Sequence, residues 1–270
     1  MRKSIGLVLV PTIMLALPSF APVQTRSQVH AQQLEDAKTN KTSFTPHDLS
    51  GVWNFFPGLP GQGISETPGK DPPPMTPWAQ ARYDAAKPGF GPKAKTGEKN
   101  DPILECDPPG MPRILFYLSD YEIVQTPDRM FMFFERDHAW RQIWMDGRGH
   151  PKDSEPTFMG HSIGVWEGDT FVVDTVGFND KSWLDAFGNP HSDEMHLIER
   201  YKRVDRNTLT IQLVIDDPKA YTRTWVGDTK IYKLLPPEQA VVEELYCIRS
   251  EEQAFTNRIR IPANAKQPDK

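Results

Sequence analysis

From Ile114 to Ile248 the chain is a succession of short β-prone runs separated by turn residues, and this rhythm limits its fold more than any other feature. The runs are ILFYLSDYEIVQ, MFMFFE, AWRQIWM, HSIGVW, TFVVDTV, MHLIERYKRV, LTIQLVI, YTRTWV, KIYKLL and VVEELYCI. Between them stand Thr126-Pro127-Asp128-Arg129, Arg136-Asp137-His138, Glu167-Gly168-Asp169 and Asp205-Arg206-Asn207. Short strands at regular spacing with turn chemistry between them signal a sandwich or barrel. No interval before Cys247 carries a crossover-helix pattern. The expectation is an all-β fold, an antiparallel meander barrel of about 8–10 strands.

The rest of the chain has a different character. Arg2, Lys3 and the apolar run Ile5–Leu17 read as a secretory signal, with cleavage after Ala31 favoured over Ala21, which Pro22 follows. Export to the periplasm or medium is expected. Loss of residues 1–31 removes three of 31 basic residues and none of 36 acidic ones, leaving a net charge near −8. That surface argues against nucleic acid and anionic membrane as partners, and no membrane insertion is expected after cleavage.

Residues 32–47 read as a disordered lead-in and 251–270 as a polar tail, with the barrel domain over 48–250. DLSGVWNFF opens that domain as a first strand. A Pro- and Gly-rich excursion over 57–113 follows, a lid, plug or packing flap. It holds one short helix with Thr76 as N-cap, Pro77 in the first turn and Lys87-Pro88 as the stop. Cys106 and Cys247 are the only cysteines and are expected to form one structural disulfide.

DLSGVW resembles the opening of lipocalin-like (calycin) barrels, in which a Gly-x-Trp on the first strand closes one end; here that is Gly51 and Trp53. GHSIGVWEGDTFVVDTVGFND together with HSDEMHLIERY is similar to a family of secreted bacterial proteins. The resemblance implies export and a lipocalin-like barrel, and implies no activity. The Pro-rich insertion between the first two strands departs from the lipocalin pattern.

The stretch GNPHSDEMHLIERYKRVDRNTLTIQLVID, residues 188–216, concentrates ionisable groups. Side chains alternate faces along a strand, so His196 and Glu199, three apart, cannot ligate one metal together. A three-residue turn at Asp205-Arg206-Asn207, with Asn207 left-handed, pairs Tyr201 with Ile211, Glu199 with Leu213 and Leu197 with Ile215. Glu199 is then the single acid on an apolar face, with an ion pair to Arg141 or Arg223 as its structural explanation. His196 falls on the solvated face with Arg200 and Lys202, and His191 in the preceding loop can reach a barrel mouth. No metal site or cofactor is expected.

Two further constellations stand out. A two-residue turn at Gly168-Asp169 sets Ile163 opposite Asp174 with His161 diagonal to it, a His–Asp pair suited to general base chemistry. Both faces of that hairpin are apolar, so either can look inward. Taking Arg136-Asp137-His138 as the loop places Phe134 opposite Trp140, Met132 opposite Gln142 and Met130 opposite Trp144. With Arg141 beside it, such a wall suits an adaptable pocket for an apolar or aromatic ligand, including one with a carboxylate.

Three functions fit these patterns. The first is a secreted barrel that binds a small apolar or aromatic molecule through Met130, Met132, Phe134, Trp140, Arg141, Gln142 and Trp144. The second is a cofactor-independent lyase, isomerase or hydrolase with Glu199, Asp174 and His161 as acid–base groups. The third is a cell-envelope interaction module that uses the 57–113 excursion.

Overall fold

The computed structural model describes residues 44–55, 66–94, 96–153 and 155–262. The expected signal segment, most of the expected lead-in, part of the 57–113 excursion and the end of the tail lie outside these residues. Ten strands form one sheet: β1 (Gly51–Phe55), β2 (Tyr121–Gln125), β3 (Arg129–Phe134), β4 (Trp140–Trp144), β5 (His161–Glu167), β6 (Thr170–Val176), β7 (His196–Asp205), β8 (Thr208–Asp216), β9 (Trp225–Val226) and β10 (Lys230–Leu234). Neighbours in sequence are neighbours in space from β1 to β8. β10 pairs with both β1 and β8 and closes a nine-stranded barrel, while β9 extends the far half of β8.

An odd number of strands cannot close with every neighbour antiparallel. The one parallel contact falls between β4 and β5, where Ile143 lies beside Ser162 and Trp144 beside Ile163. A parallel pair needs a long return connection. Residues 145–160 provide it, and that segment becomes central to the candidate site.

Inward side chains of the strands and of the insertion merge into one core that includes Trp53, Tyr121, Met130, Met132, Phe171, Tyr201, Leu213 and Tyr232. At one end the Trp53 indole N–H donates to the Leu49 carbonyl at 2.9 Å, and the Arg203 guanidinium lies 5.4 Å from its ring. Described residues of the insertion pack into the same core, among them Ala79, Met111, Ile114, Leu115 and Phe116. The insertion's helix α1 (Pro77–Ala85) is capped by Thr76, whose hydroxyl accepts from the Ala79 N–H at 3.3 Å. Ile114–Phe116, expected to begin a strand, instead belong to a fully buried 3-10 turn over Arg113–Phe116, and Tyr232 donates to the Leu115 carbonyl at 2.7 Å.

Other expectations need correction at the C-terminal side. VVEELYCI forms no strand and makes only an isolated bridge, Leu245 to Arg136. YTRTWV shrinks to the two residues of β9. A helix α2 (Arg249–Phe255) stands where a patternless tail was expected. Cys106 and Cys247 are bonded with Cα atoms 5.4 Å apart, which ties this region to the insertion. No helix among the described residues is long and apolar enough to cross a membrane.

The hairpin registers decide which side chains meet. β7 and β8 pair as expected: Tyr201 with Ile211, Glu199 with Leu213, Leu197 with Ile215. The route differs, since the turn is a two-residue one at Arg206-Asn207 plus a bulge between Arg203 and Asp205. The bulge adds one residue and restores the parity of a three-residue loop. β5 and β6 also pair as expected, Ile163 with Asp174 across Gly168-Asp169.

β3 and β4 do not. Phe133 pairs with Trp140, Met132 with Arg141, Phe131 with Gln142 and Met130 with Ile143. The loop has four residues, Glu135–His138, closed by Phe134 N–H to the Ala139 carbonyl at 2.8 Å. Asp137 and His138 both take left-handed φ, 58° and 46°, which lets this four-residue loop, one residue longer than expected, close the hairpin. A one-residue slip turns every side chain to the other face. Met130, Met132, Phe134 and Arg141 therefore point into the core, while Trp140, Gln142 and Trp144 point outward, with Trp140 57% exposed. The expected wall is divided between the two faces of the sheet.

Candidate functional site

Glu199 faces inward beside Val173, and Asp174 faces outward beside Ile198. The expected trio of Glu199, Asp174 and His161 therefore lies on opposite sides of the sheet and does not converge. Glu199 is wholly buried and held by Arg141 with both terminal nitrogens; Nη1 lies 2.9 Å from Oε1, and Nη2 contacts Oε2. Tyr201 donates to Oε1 at 2.8 Å. Burial, reinforced by the Glu199 charge, raises the Tyr201 phenol far above its usual range and keeps it a neutral donor. Arg141 also donates to Ser162 at 3.0 Å and Thr175 at 2.7 Å. A buried ion pair with every partner satisfied is a structural group.

The outer face of the same strands carries a different cluster. Asp174 on β6 and the first residues of β5 and β7, His161 and His196, share that face through the two-residue period. His150 reaches it from the return segment 145–160 that the parallel pair requires. His150 Nε2 lies 3.1 Å from Asp174 Oδ1, and His196 Nε2 lies 2.7 Å from the same oxygen. His150 Nδ1 lies 2.9 Å from His161 Nδ1.

These distances fix the protons when Asp174 is ionised, an assignment from the network. The carboxylate accepts from His150 Nε2–H. His150 Nδ1 then carries a lone pair and accepts from His161 Nδ1–H. The lone pair of His161 is left on Nε2, which makes no hydrogen bond within the described residues. Burial lowers the His161 pKa, helped by the positive charge of the neighbouring Arg148, so the ring is neutral near pH 7. A neutral imidazole with an oriented tautomer and a free nitrogen is the equipment of a general base.

His161 lies on the wall of an open cleft of about 790 Å3 with Trp144, Asp146, Gly147, Arg148, Gly149 and Pro151. Two guanidinium groups approach the Trp144 ring, Arg148 at 3.3 Å from its centroid and Arg129 at 4.6 Å. Arg148 is paired in turn with Asp146, whose carboxyl it holds below the usual range. The cleft thus offers an indole, a guanidinium held in an ion pair with Asp146, and a basic nitrogen. The imidazole nitrogens point at one another and at Asp174 rather than at a shared centre. Among the described residues no group of three or more His, Cys, Asp or Glu is set to hold a metal ion.

Of the residues singled out by sequence, His161, Asp174 and Trp144 come together here. Arg141 and Glu199 pair inside the barrel, the two methionines and Phe134 pack in the core, and Trp140 and Gln142 sit on the outer sheet away from the cleft lining. His150 gave no signal, because it stands in the aperiodic MDGRGHP. His196 was placed correctly on the outer face, but its diagonal relation to Asp174 needs the β6–β7 register.

No family model matches the chain, and no curated protein and no solved structure matches it.

Proposed function

We propose that the outer cleft binds a small planar aromatic molecule bearing a carboxylate, and that His161 acts on it as a general base. The observation that carries this reading is the hydrogen-bonded line from Asp174 through His150 to His161, which ends at the wall that also holds Trp144 and Arg148. Trp144 supplies a stacking surface, and Arg148 a charge partner for a carboxylate. The chemistry is proton abstraction from an activated C–H, or from water, next to the aromatic group. This keeps the ligand class expected for the barrel and moves its site from the interior to the outside.

Export is part of the same proposal. The Cys106–Cys247 bond suits an oxidising compartment, and the N-terminal pattern suits a signal segment.

Phenylpyruvate tests both halves, since it is aromatic, carries a carboxylate and has an acidic C–H. Expected results are quenching of Trp144 fluorescence on binding, and deuterium uptake at its methylene in D2O faster than with His161→Gln. Trp144→Ala should weaken binding about five- to ten-fold, from loss of roughly 1 kcal/mol of stacking. Failure of phenylpyruvate and of benzoate or phenylacetate to bind would remove the proposal.

A further inference from the structure

A hydroxyl and an imidazole meet in the loop between β6 and β7, apart from the outer cleft. The loop folds back on itself: Trp183 bridges to Pro190, and the Leu184 N–H donates to the Asn189 carbonyl at 2.8 Å. Its tip is organised by buried Asp185, whose carboxylate accepts from the Phe187 N–H at 2.9 Å, the Asn189 N–H at 3.1 Å and the Asn189 amide at 2.6 Å. This closure brings Ser182 and His191, nine residues apart, face to face at the base of the loop.

The Ser182 hydroxyl lies 3.1 Å from His191 Nε2, and His191 Nδ1 lies 3.3 Å from the Ser192 carbonyl. Only Nδ1–H can serve that carbonyl, so Nε2 holds the lone pair and accepts the Ser182 proton. Ser192 is itself anchored, with its N–H 2.6 Å and its hydroxyl 2.7 Å from the two oxygens of Asp217. Burial keeps the imidazole below its ordinary pKa and therefore neutral. A hydroxyl bonded to a base that a third group orients is the signature of an activated nucleophile.

Both side chains also line a cleft of about 230 Å3 with Arg82, Asn100, Asp180, Lys181 and Trp183. That volume is below the roughly 300–1,000 Å3 of pockets for drug-sized ligands. The cleft admits a short acyl group, and Arg82 and Lys181 give it positive charge.

We propose that Ser182 is the nucleophile of an acyl-transfer site for small esters, with His191 as its base. Ser182 Oγ bonds to the ester carbonyl carbon while its proton passes to His191 Nε2. The carbon–oxygen bond to the alcohol then breaks, and the leaving oxygen takes that proton. A water molecule, deprotonated by His191, attacks the acyl-serine; the serine oxygen recovers the proton and a carboxylic acid departs. No oxidant, metal or cofactor enters this balance.

The test uses the full-length protein and p-nitrophenyl acetate. Intact-mass measurement at short times should show one added acetyl group, which peptide sequencing maps to Ser182. Ser182→Ala should lose that adduct, and His191→Gln should slow its formation at least about 100-fold. Acetylation confined to lysines, or Ser182 acetylated equally fast without His191, would overturn the proposal. Because the first measurement is made on the unaltered protein, it decides even if a variant fails to fold.

Discussion

Arg141 and Glu199, 58 residues apart, meet inside the barrel as a two-pronged ion pair from which water is excluded. Each neutralises the charge of the other. Glu199→Gln leaves the Arg141 charge buried without its partner, a loss worth about 3–5 kcal/mol. Urea unfolding should register that loss. Phenylpyruvate binding at the outer cleft, on the other face of the sheet, should persist in the folded fraction.

The outer relay makes a complementary prediction. His150 does not line the cleft, yet it fixes the proton of His161 through the 2.9 Å contact. His150→Ala should cut phenylpyruvate deuterium exchange by about two orders of magnitude, the usual worth of a well-placed base. Binding measured by Trp144 quenching should change little. Equal losses in binding and exchange would assign His150 a structural role only.

The contrast between these two sites shows how far the sequence could be read. The β7–β8 register follows from alternation and a polar turn, so the inward Glu199 is legible in the sequence, which leaves its partner open between Arg141 and Arg223. The β3–β4 register is not legible, because its parity depends on Asp137 and His138 both adopting left-handed backbone. That local choice is stabilised by the Leu245 carbonyl, which accepts the Asp137 N–H at 2.8 Å from a segment about a hundred residues away. The His150 contact was hidden for a related reason. It depends on a parallel β4–β5 pair, which closure of an odd-stranded barrel demands and no local pattern announces.

Stability should carry a histidine signature in pH. Burial depresses the pKa of both His161 and His191 in the folded protein. The unfolded chain, with imidazoles near 6.5, binds those protons more readily as acid is added. Their contribution is therefore complete above about pH 7 and is lost as pH falls through about 6.5 toward the depressed values. The free energy of unfolding should decline over about pH 6.5–5, before the paired carboxylates begin to titrate. His191→Gln should flatten part of that slope.

The disulfide closes a loop of 141 residues and anchors the segment that carries α2 to the insertion. Chain-entropy reasoning assigns such a closure about 4–5 kcal/mol. Unfolding in urea with and without reductant should show a loss of this order, matched by the double replacement of Cys106 and Cys247 with Ser. A mass change on alkylation only after reduction would confirm the bond directly.

Gly188 links backbone geometry to the proposed acyl-transfer site. Its φ of +84° lies where side chains are disfavoured, and a Cβ there would stand 2.8 Å from the Ala86 Cβ at the end of α1. The glycine lets the loop press against the insertion helix while its two arms hold Ser182 opposite His191. Gly188→Ala must therefore either push the loop off α1 or distort the turn, at about 1–3 kcal/mol. In both cases the 3.1 Å contact between the hydroxyl and the imidazole should open. Expected outcomes are a lowered melting temperature and slower acetylation of Ser182 by p-nitrophenyl acetate, with Trp144 quenching by phenylpyruvate retained because the outer cleft shares no lining residue with this loop.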